Sequence, residues 1–458
     1  MIRTGVNYEG RDPRFVETVL PSAEIVEVTP DSVATLRDGT PVIPPETLAE
    51  LRAIGLPVTL HGIGLSIASA DAMSDDYLGL VDTLMESLDV AWHSEHLGYV
   101  AVDGEHLGTM LVPPRTEETL ELICARVAAI QARWDKPFLL EHVVNLLPDP
   151  GGDYTAAGFL NEIVRRTGCG ILLDVYNLEC DAHNGIANVD ELLGELNLEA
   201  VREIHVACGT EDRGLQLDVH SRVVRESTLA LLQRVVAMAP NVEAVIFELL
   251  GAAVSSVGYE AIINEMQRIH NSVEDRHSCL SLSPSPFPRP RDRQECLSSM
   301  ELADHQRAMR DLLRGTAVAD DPYVRAAAAS TGIEVLRDIV RTWRRYRLDR
   351  QCRLTTAMLK RRGGYDEALE HASSPYIEAA AGEFLDAAAS CADPLVVSVA
   401  AFERAMLRNE AAETSVDWPC DPYPILGALL AGTELPEVAF APHRTLVSNE
   451  YYGYFRVE

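Results

Sequence analysis

Short, continuously apolar runs alternate with longer segments of helical period through the first 270 residues of the chain. Runs such as Gly170-Ile-Leu-Leu-Asp-Val and Pro137-Phe-Leu-Leu-Glu are apolar at nearly every position, as strands buried on both faces of a parallel sheet are. The pattern predicts eight strands: Thr4–Tyr8, Glu24–Thr29, Pro57–His61, Val90–Leu97, Phe138–Val143, Gly170–Val175, Glu203–Ala207 and Ala244–Leu249. It predicts helices over Pro45–Ile54, Asp71–Leu88, Glu117–Trp134, Thr155–Arg166 and Arg222–Met238. Eight β/α repeats in about 270 residues make an α/β protein of TIM-barrel size. A doubly wound open sheet is the runner-up, but no Gly-x-Gly-x-x-Gly turn follows a strand to support it.

The pattern breaks over Asn271–Met300, where Ser278-Cys-Leu-Ser-Leu-Ser-Pro-Ser-Pro-Phe-Pro-Arg-Pro-Arg291 can sustain neither a helix nor a central strand. Three regions are therefore expected: a barrel over residues 1–270, a linker over 271–300, and a mostly helical domain over 301–458. The end of the chain, from Leu446 to Val457, reads as a terminal hairpin or strand.

Strand ends carry the chemistry. Ligand-type residues stand at His61, His93-Ser94-Glu95-His96, Glu141-His142, Asp174 with Asn177, His205 and Glu248, with Asp218 and His220 in the loop after the seventh strand. In a barrel all strand C-termini face one end, so these residues meet around one cup. Asp218 and His220, two apart on extended chain, can converge on one point. A lone buried histidine is usually a packed polar group; repetition over six strands is the signal here. Mixed imidazole and carboxylate ligands suit Fe, Mn or Zn more than Mg, and the lack of a cysteine ligand pattern disfavours structural zinc. So many ligands imply more than one ion, with Glu141 and Glu248 as candidate bridges. By alternation His93 and Glu95 face away from His96 and read as packing or support. His106 and His142 are further histidines near these ends, His183 reads as a surface-loop residue, and Cys208 as a small core residue.

Composition narrows the setting. A net charge of −31 argues against a surface built to neutralise phosphates, so no nucleic acid is expected. Nine scattered cysteines without a Cys-x-x-Cys pair suit a reducing cytosol. No apolar run approaches a membrane span, so a cytoplasmic protein without a membrane partner is expected.

His61-Gly-Ile-Gly-Leu-Ser66, Ser94-Glu-His-Leu97, Leu172-Leu-Asp-Val-Tyr-Asn177, Glu203-Ile-His-Val-Ala207, Asp218-Val-His220 and Phe247-Glu248 together resemble the multinuclear non-heme iron-dependent oxidases, TIM-barrel enzymes typified by the methanobactin biosynthesis oxidase. The resemblance covers roughly Met1–His270. It implies an iron- and O2-dependent modification of a ribosomally made precursor peptide at a cysteine. It further implies two or three iron ions, with His61, His96, Glu141, Asp174, His205, Asp218, His220 and Glu248 as ligands. His96, Glu141, Asp218 and His220 would be the catalytic members, with Asn177 a ligand or a supporting partner. Glu141-His142 stands where the family commonly has Glu-Asn, and Tyr176 where it has Asn; both bear on the pocket lining. Family members work with a small partner protein that binds the precursor, and residues 301–458 resemble such a partner fused in cis.

Other readings are a divalent-metal isomerase or endonuclease-type barrel, or a metal-binding protein without catalysis. The cluster Arg337, Arg341, Arg344, Arg345, Arg347, Arg350 and Arg353, with Lys360, Arg361 and Arg362, reads equally as a docking surface for an acidic leader peptide and as a solvated helix face.

Overall fold

The computed structural model describes residues 2–37, 40–274, 300–374, 377–408, 411–451 and 455–457. Eight parallel strands close into a barrel: β1 (Arg3–Tyr8), β2 (Ile25–Val28), β3 (Val58–Gly62), β4 (Val90–His96), β5 (Phe138–Glu141), β6 (Gly170–Asp174), β7 (Val201–Val206) and β8 (Ala244–Phe247), with β8 pairing back onto β1. All eight predicted strands are present, and a closed barrel rather than an open sheet is the architecture. Helices α1 (Pro45–Ile54), α2 (Asp75–Ser87), α3 (Glu117–Arg133), α4 (Ala156–Thr167), α5 (Val175–His183), α6 (Glu226–Met238) and α7 (Tyr259–Glu274) intervene or follow.

Strand parity sorts the side chains. Ile25, Trp92, Leu139, Leu172, Ala244 and Ile246 form a buried apolar cluster in the barrel interior. Residues two further along these strands, Glu27, Ser94, Glu141, Asp174 and Glu248, point to the same side and lie nearer the strand C-termini. The interior is thus an apolar plug with a polar layer above it, as packed barrels require. Gly5 sits where a Cβ would strike the Ile25 carbonyl and side chain within 2.6 Å, which lets β1 pass close to its neighbours.

Three local expectations are corrected. Val175 is not the end of a strand, because Asp174 accepts hydrogen bonds from the Tyr176 and Asn177 amides and so caps α5 directly. His183 is accordingly the last residue of that helix rather than a loop residue, though it is exposed as expected. The predicted linker begins four residues inside a helix, since α7 runs to Glu274; its remainder, residues 275–299, lies outside the described residues.

The chain divides into compact units Met1–Arg337 and Asp338–Glu458. The first unit therefore extends past residue 301, the boundary expected from composition. Helices α8 (Leu302–Arg314) and α9 (Pro322–Ala328) belong to it. Gln306 donates to the Ala68 carbonyl and accepts from the Ala70 amide, both at 2.7 Å, and Arg310 pairs with Asp103 at 2.8 Å.

The second unit is mostly helical. Helix α10 (Thr331–Gln351), whose residues up to Arg337 belong to the first unit, is followed by α11 (Arg353–Arg362), α12 (Tyr365–His371), α13 (Ile377–Ala389), α14 (Pro394–Arg408) and α15 (Pro422–Ala431). A three-stranded antiparallel sheet joins β9 (Thr414–Trp418), β10 (His443–Val447) and β11 (Phe455–Val457), the last two being the expected terminal pair. Much of the basic cluster is paired inside this unit. Arg341 and Arg344 meet Glu370 at 3.3 and 3.5 Å, Arg345 meets Asp366 at 2.6 Å, and Lys360 meets Asp349 at 2.6 Å. These local acids reduce the field the cluster presents to a ligand. No described helix is long and apolar enough to cross a membrane, and the described cysteines are free.

Candidate metal centre

The eight expected ligand residues come together at the C-terminal end of the barrel. His61 Nε2 and His96 Nε2 lie 3.1 and 3.3 Å from the same oxygen, Glu141 Oε2. His205 Nδ1 and His220 Nδ1 lie 2.9 and 3.0 Å from Glu248 Oε2. His220 Nε2 stands 2.5 Å from Asp218 Oδ1 and 3.7 Å from Asp174 Oδ2. Glu141 and Glu248 are thus the two carboxylates shared between histidines. Five three-residue groups have ligand atoms within 4.8 Å of one another, and they overlap through His61, Glu141, Asp174 and His205.

Outer hydrogen bonds orient the rings. The Ser94 hydroxyl donates to the Leu60 carbonyl at 3.1 Å, so its oxygen accepts from His61 Nδ1–H at 2.9 Å. His96 Nδ1–H donates to the Gly62 carbonyl at 2.9 Å. Both bonds leave the Nε2 lone pairs facing Glu141, the arrangement that metal-binding histidines adopt. Gly62 is required there, because a Cβ would meet the Tyr77 hydroxyl and Glu95 carboxylate at 1.9 and 2.0 Å. Asn177 Nδ2 donates to Glu141 Oε1 at 3.0 Å and to the His142 carbonyl at 3.2 Å. Asn177 therefore stands beside the cluster as a support.

The donor set fits a cation. His61 Nε2, Glu141 Oε2, Asp174 Oδ2 and His220 Nε2 are buried without a hydrogen-bond partner. Each such atom costs about 1–3 kcal/mol if left unpaired. Burial, with the neighbouring His96 and His205, pushes His61 well below the usual histidine range. Burial pushes Glu141 well above the carboxylate range and Asp174 up to about 6. Burial opposes charge on His205, yet Glu27 and Glu248 outweigh it and hold this histidine well above its usual range.

Sequence reasoning missed Glu27 and Glu203. Both are 0 % exposed, and each joins His205 in one of the close groups. Their signal was present: a carboxylate interrupting the apolar run of β2, and another two residues before His205 on the same face of β7. Trp92 Nε1 donates to Glu203 Oε2 at 2.7 Å. His93 and Glu95 lie outside the cluster, 3.3 Å apart, with His93 packed edge-on against Trp134 and Phe138. His142 borders a cavity of about 100 Å³ lined also by Leu97, Val112, Phe159 and Asp181, its nearest carboxylate oxygen being Asp181 Oδ2 at 3.9 Å.

Away from the cup, burial sets a pH dependence. It pushes Glu95 and Asp181 up to about 8, against His93 and His305 held down to about 3 and 4. A raised carboxyl stabilises the fold at low pH and loses that contribution as pH climbs through its folded value; a depressed histidine does the reverse below about 6.5. The opposing slopes offset between pH 5 and 6.5, and the carboxyls act alone above that. The thermal midpoint of the barrel unit is expected to be flat over that range and to fall by about 5 °C or more by pH 8.5. A midpoint that rises to pH 8.5 would contradict the assignment.

A closed barrel with histidines and carboxylates gathered at one end defines a (β/α)8 protein with a candidate multinuclear metal centre. The description "RiPP precursor modification enzyme MbnB/TglH/ChrH" matches residues 4–273. The chain belongs to that family, whose members modify ribosomally made peptide precursors. A UPF0276 protein of Caulobacter vibrioides is 31% identical over 219 residues, 48% of this chain and 76% of the relative. One of Chromobacterium violaceum is 30% identical over 228 residues, 49% and 80% respectively. Among solved structures, a xylose isomerase domain containing protein from Salmonella typhimurium LT2 shares 14% identity at a TM-score of 0.41, over 59% of this chain and 97% of that one.

Proposed function

We propose that the protein is an iron- and O2-dependent oxidase that modifies a ribosomally made precursor peptide at a cysteine. The observation that carries this is the overlap of the ligand groups. His61 with His96 and Glu141, His61 with His205 and Glu248, and Asp174 with Asp218 and His220 outline three adjoining places for a cation, consistent with two or three iron ions. Six carboxylates (Glu27, Glu141, Asp174, Glu203, Asp218, Glu248) against four histidines also call for several positive charges. Iron bound there would supply one-electron chemistry with O2 and a seat for a substrate thiolate.

The chain's own residues divide the remaining work. His61, Glu141, Asp174 and His205 are almost wholly buried and hold the centre away from water. His96, Asp218, His220 and Glu248 are 10–27 % exposed, so the peptide approaches on their side. Asp218, the most exposed of the four at 27 %, is the group placed to take the proton of an incoming thiol, because a carboxylate that gives one oxygen to a cation keeps the other as an acceptor. The unit Asp338–Glu458 recognises the precursor in this reading.

Protein from iron-replete cells is expected to carry more than one iron per chain. It should consume O2 when given a cysteine-containing peptide encoded beside its gene, and not when that cysteine is serine. Stoichiometric zinc, with no activity gained on adding iron, would sink the proposal.

A further inference from the structure

His205 and His220 each have a carboxylate on both sides of the ring, and of the two His205 is the one wholly buried, at 0 % exposure against 8 %. Nε2 lies 3.1 Å from Glu27 Oε2 and Nδ1 lies 2.9 Å from Glu248 Oε2. A neutral imidazole has one N–H and can satisfy only one of them. The two carboxylates are not equivalent. Glu27 and its neighbour Glu203 are 0 % exposed, below the cup, and each has one oxygen without a hydrogen-bond partner. The Trp92 indole N–H is directed to Glu203, at 2.7 Å. Among the described residues the only hydrogen-bond partner of the Glu27 carboxylate is His205 Nε2, at 3.1 Å. Glu248 is 15 % exposed, faces a second ring nitrogen in His220 Nδ1 at 3.0 Å, and joins His61 and His205 in a close ligand group.

If Nε2 carries the proton, Nδ1 and Glu248 Oε2 are two lone pairs 2.9 Å apart. That approach is repulsive unless positive charge stands at Nδ1: a second ring proton when no metal is bound, and the metal ion itself when one is. His61 and His96 show the opposite arrangement, their Nδ1 atoms held by Ser94 and the Gly62 carbonyl and their Nε2 atoms turned inward. We propose that Glu27 is a positioning residue: it takes the Nε2–H of His205 and so commits this histidine to bind metal through Nδ1, whereas His61 and His96 bind through Nε2. A carboxylate behind a ligating histidine fixes its tautomer and strengthens it as a donor, and losing such a partner typically costs 10–100-fold in metal affinity. The inference rests on the metal-centre reading of the cup.

The test uses the full chain, stripped of metal, labelled with ¹⁵N-histidine and loaded with Zn(II). Long-range ¹H–¹⁵N correlation spectra distinguish a ring protonated at Nε2 and metallated at Nδ1 from the reverse. His205, assigned by its disappearance in His205→Gln, should show the first pattern and His61 the second. Glu27→Leu should weaken binding of the most affected zinc equivalent by about 10–100-fold and lose the single-tautomer signal of His205. Glu27→Gln, whose carboxamide oxygen can still accept, should keep the tautomer with a smaller loss. Should Glu27→Leu not fold, the wild-type and Glu27→Gln spectra decide alone. His205 found metallated at Nε2, or Glu27→Leu with zinc affinity within twofold of wild type and an unchanged ring pattern, overturns the proposal. Wild-type protein that binds no metal would instead remove the metal-centre reading itself.

Discussion

Replacing His205 with alanine is expected to lower the protein's metal affinity by more than about 100-fold, beyond what the loss of a supporting partner costs. His205 belongs to three of the five close ligand groups, more than any other residue of the cup. Its ring is 0 % exposed and surrounded by Glu27, Glu248 and His61, the last with its ring centre 5.0 Å away. Alanine leaves a void beside carboxylates that have lost their nitrogen partner, and water does not rebuild the lost ligand at equal affinity. The apo-variant should also unfold at a lower temperature than apo-wild type, because an uncompensated buried charge is destabilising in its own right. His183→Ala is the matched control: that side chain is 41 % exposed at the end of α5 and should leave metal content unchanged. Elemental analysis and a competitive chelator titration read the result. A His205→Ala protein retaining wild-type metal stoichiometry and affinity would mean that the cup is not the metal centre.

Period and register explain why so much of the cup was legible. Buried parallel strands announce themselves as apolar runs, and a barrel sends every strand C-terminus to one side, so ligand-type residues at strand ends could be gathered without any contact information. His61, His96, Glu141, Asp174, His205 and Glu248 were all found in that way, and Asp218 with His220 by their spacing of two. Glu27 and Glu203 escaped because they lie inside strands rather than at their ends; only the three-dimensional approach of β2 and β7 to the same ring gives them a role. Asp174 misled the helix boundary because one carboxylate serves both as a cup residue and as the cap of α5. The domain boundary differed for another reason. Composition marks where a chain stops packing locally, but whether the next helices return to the preceding unit depends on tertiary bonds such as those of Gln306, which no local signal encodes.

That return gives truncation two different expected outcomes, according to where the chain is cut. Residues 302–337 brace loops that follow the ligand strands. Gln306 bonds the Ala68 and Ala70 backbone after β3, Arg307 and Arg310 pair with Asp103 in the hairpin after β4, and Gly332 packs so tightly on the Leu146 carbonyl after β5 that a Cβ would overlap it. A chain ending at residue 300 should lose metal affinity as well as peptide turnover, since the loops carrying the residues next to His61, His96 and Glu141 lose their support. A chain ending at Arg337 keeps the whole first compact unit and should bind metal within about twofold of the intact protein. If Asp338–Glu458 recognises the precursor, tethering keeps the peptide near the cup at millimolar effective concentration, and its removal should cut turnover of dilute full-length precursor by about 100-fold or more. Turnover at saturating peptide should recover, because the chemistry resides in the barrel and only capture is lost. Metal content, KM and kcat measured on the two truncations separate the effects. Equal turnover by the 1–337 protein and the intact chain at low peptide would rule out a recognition role and leave the second unit as a stability or oligomerisation element.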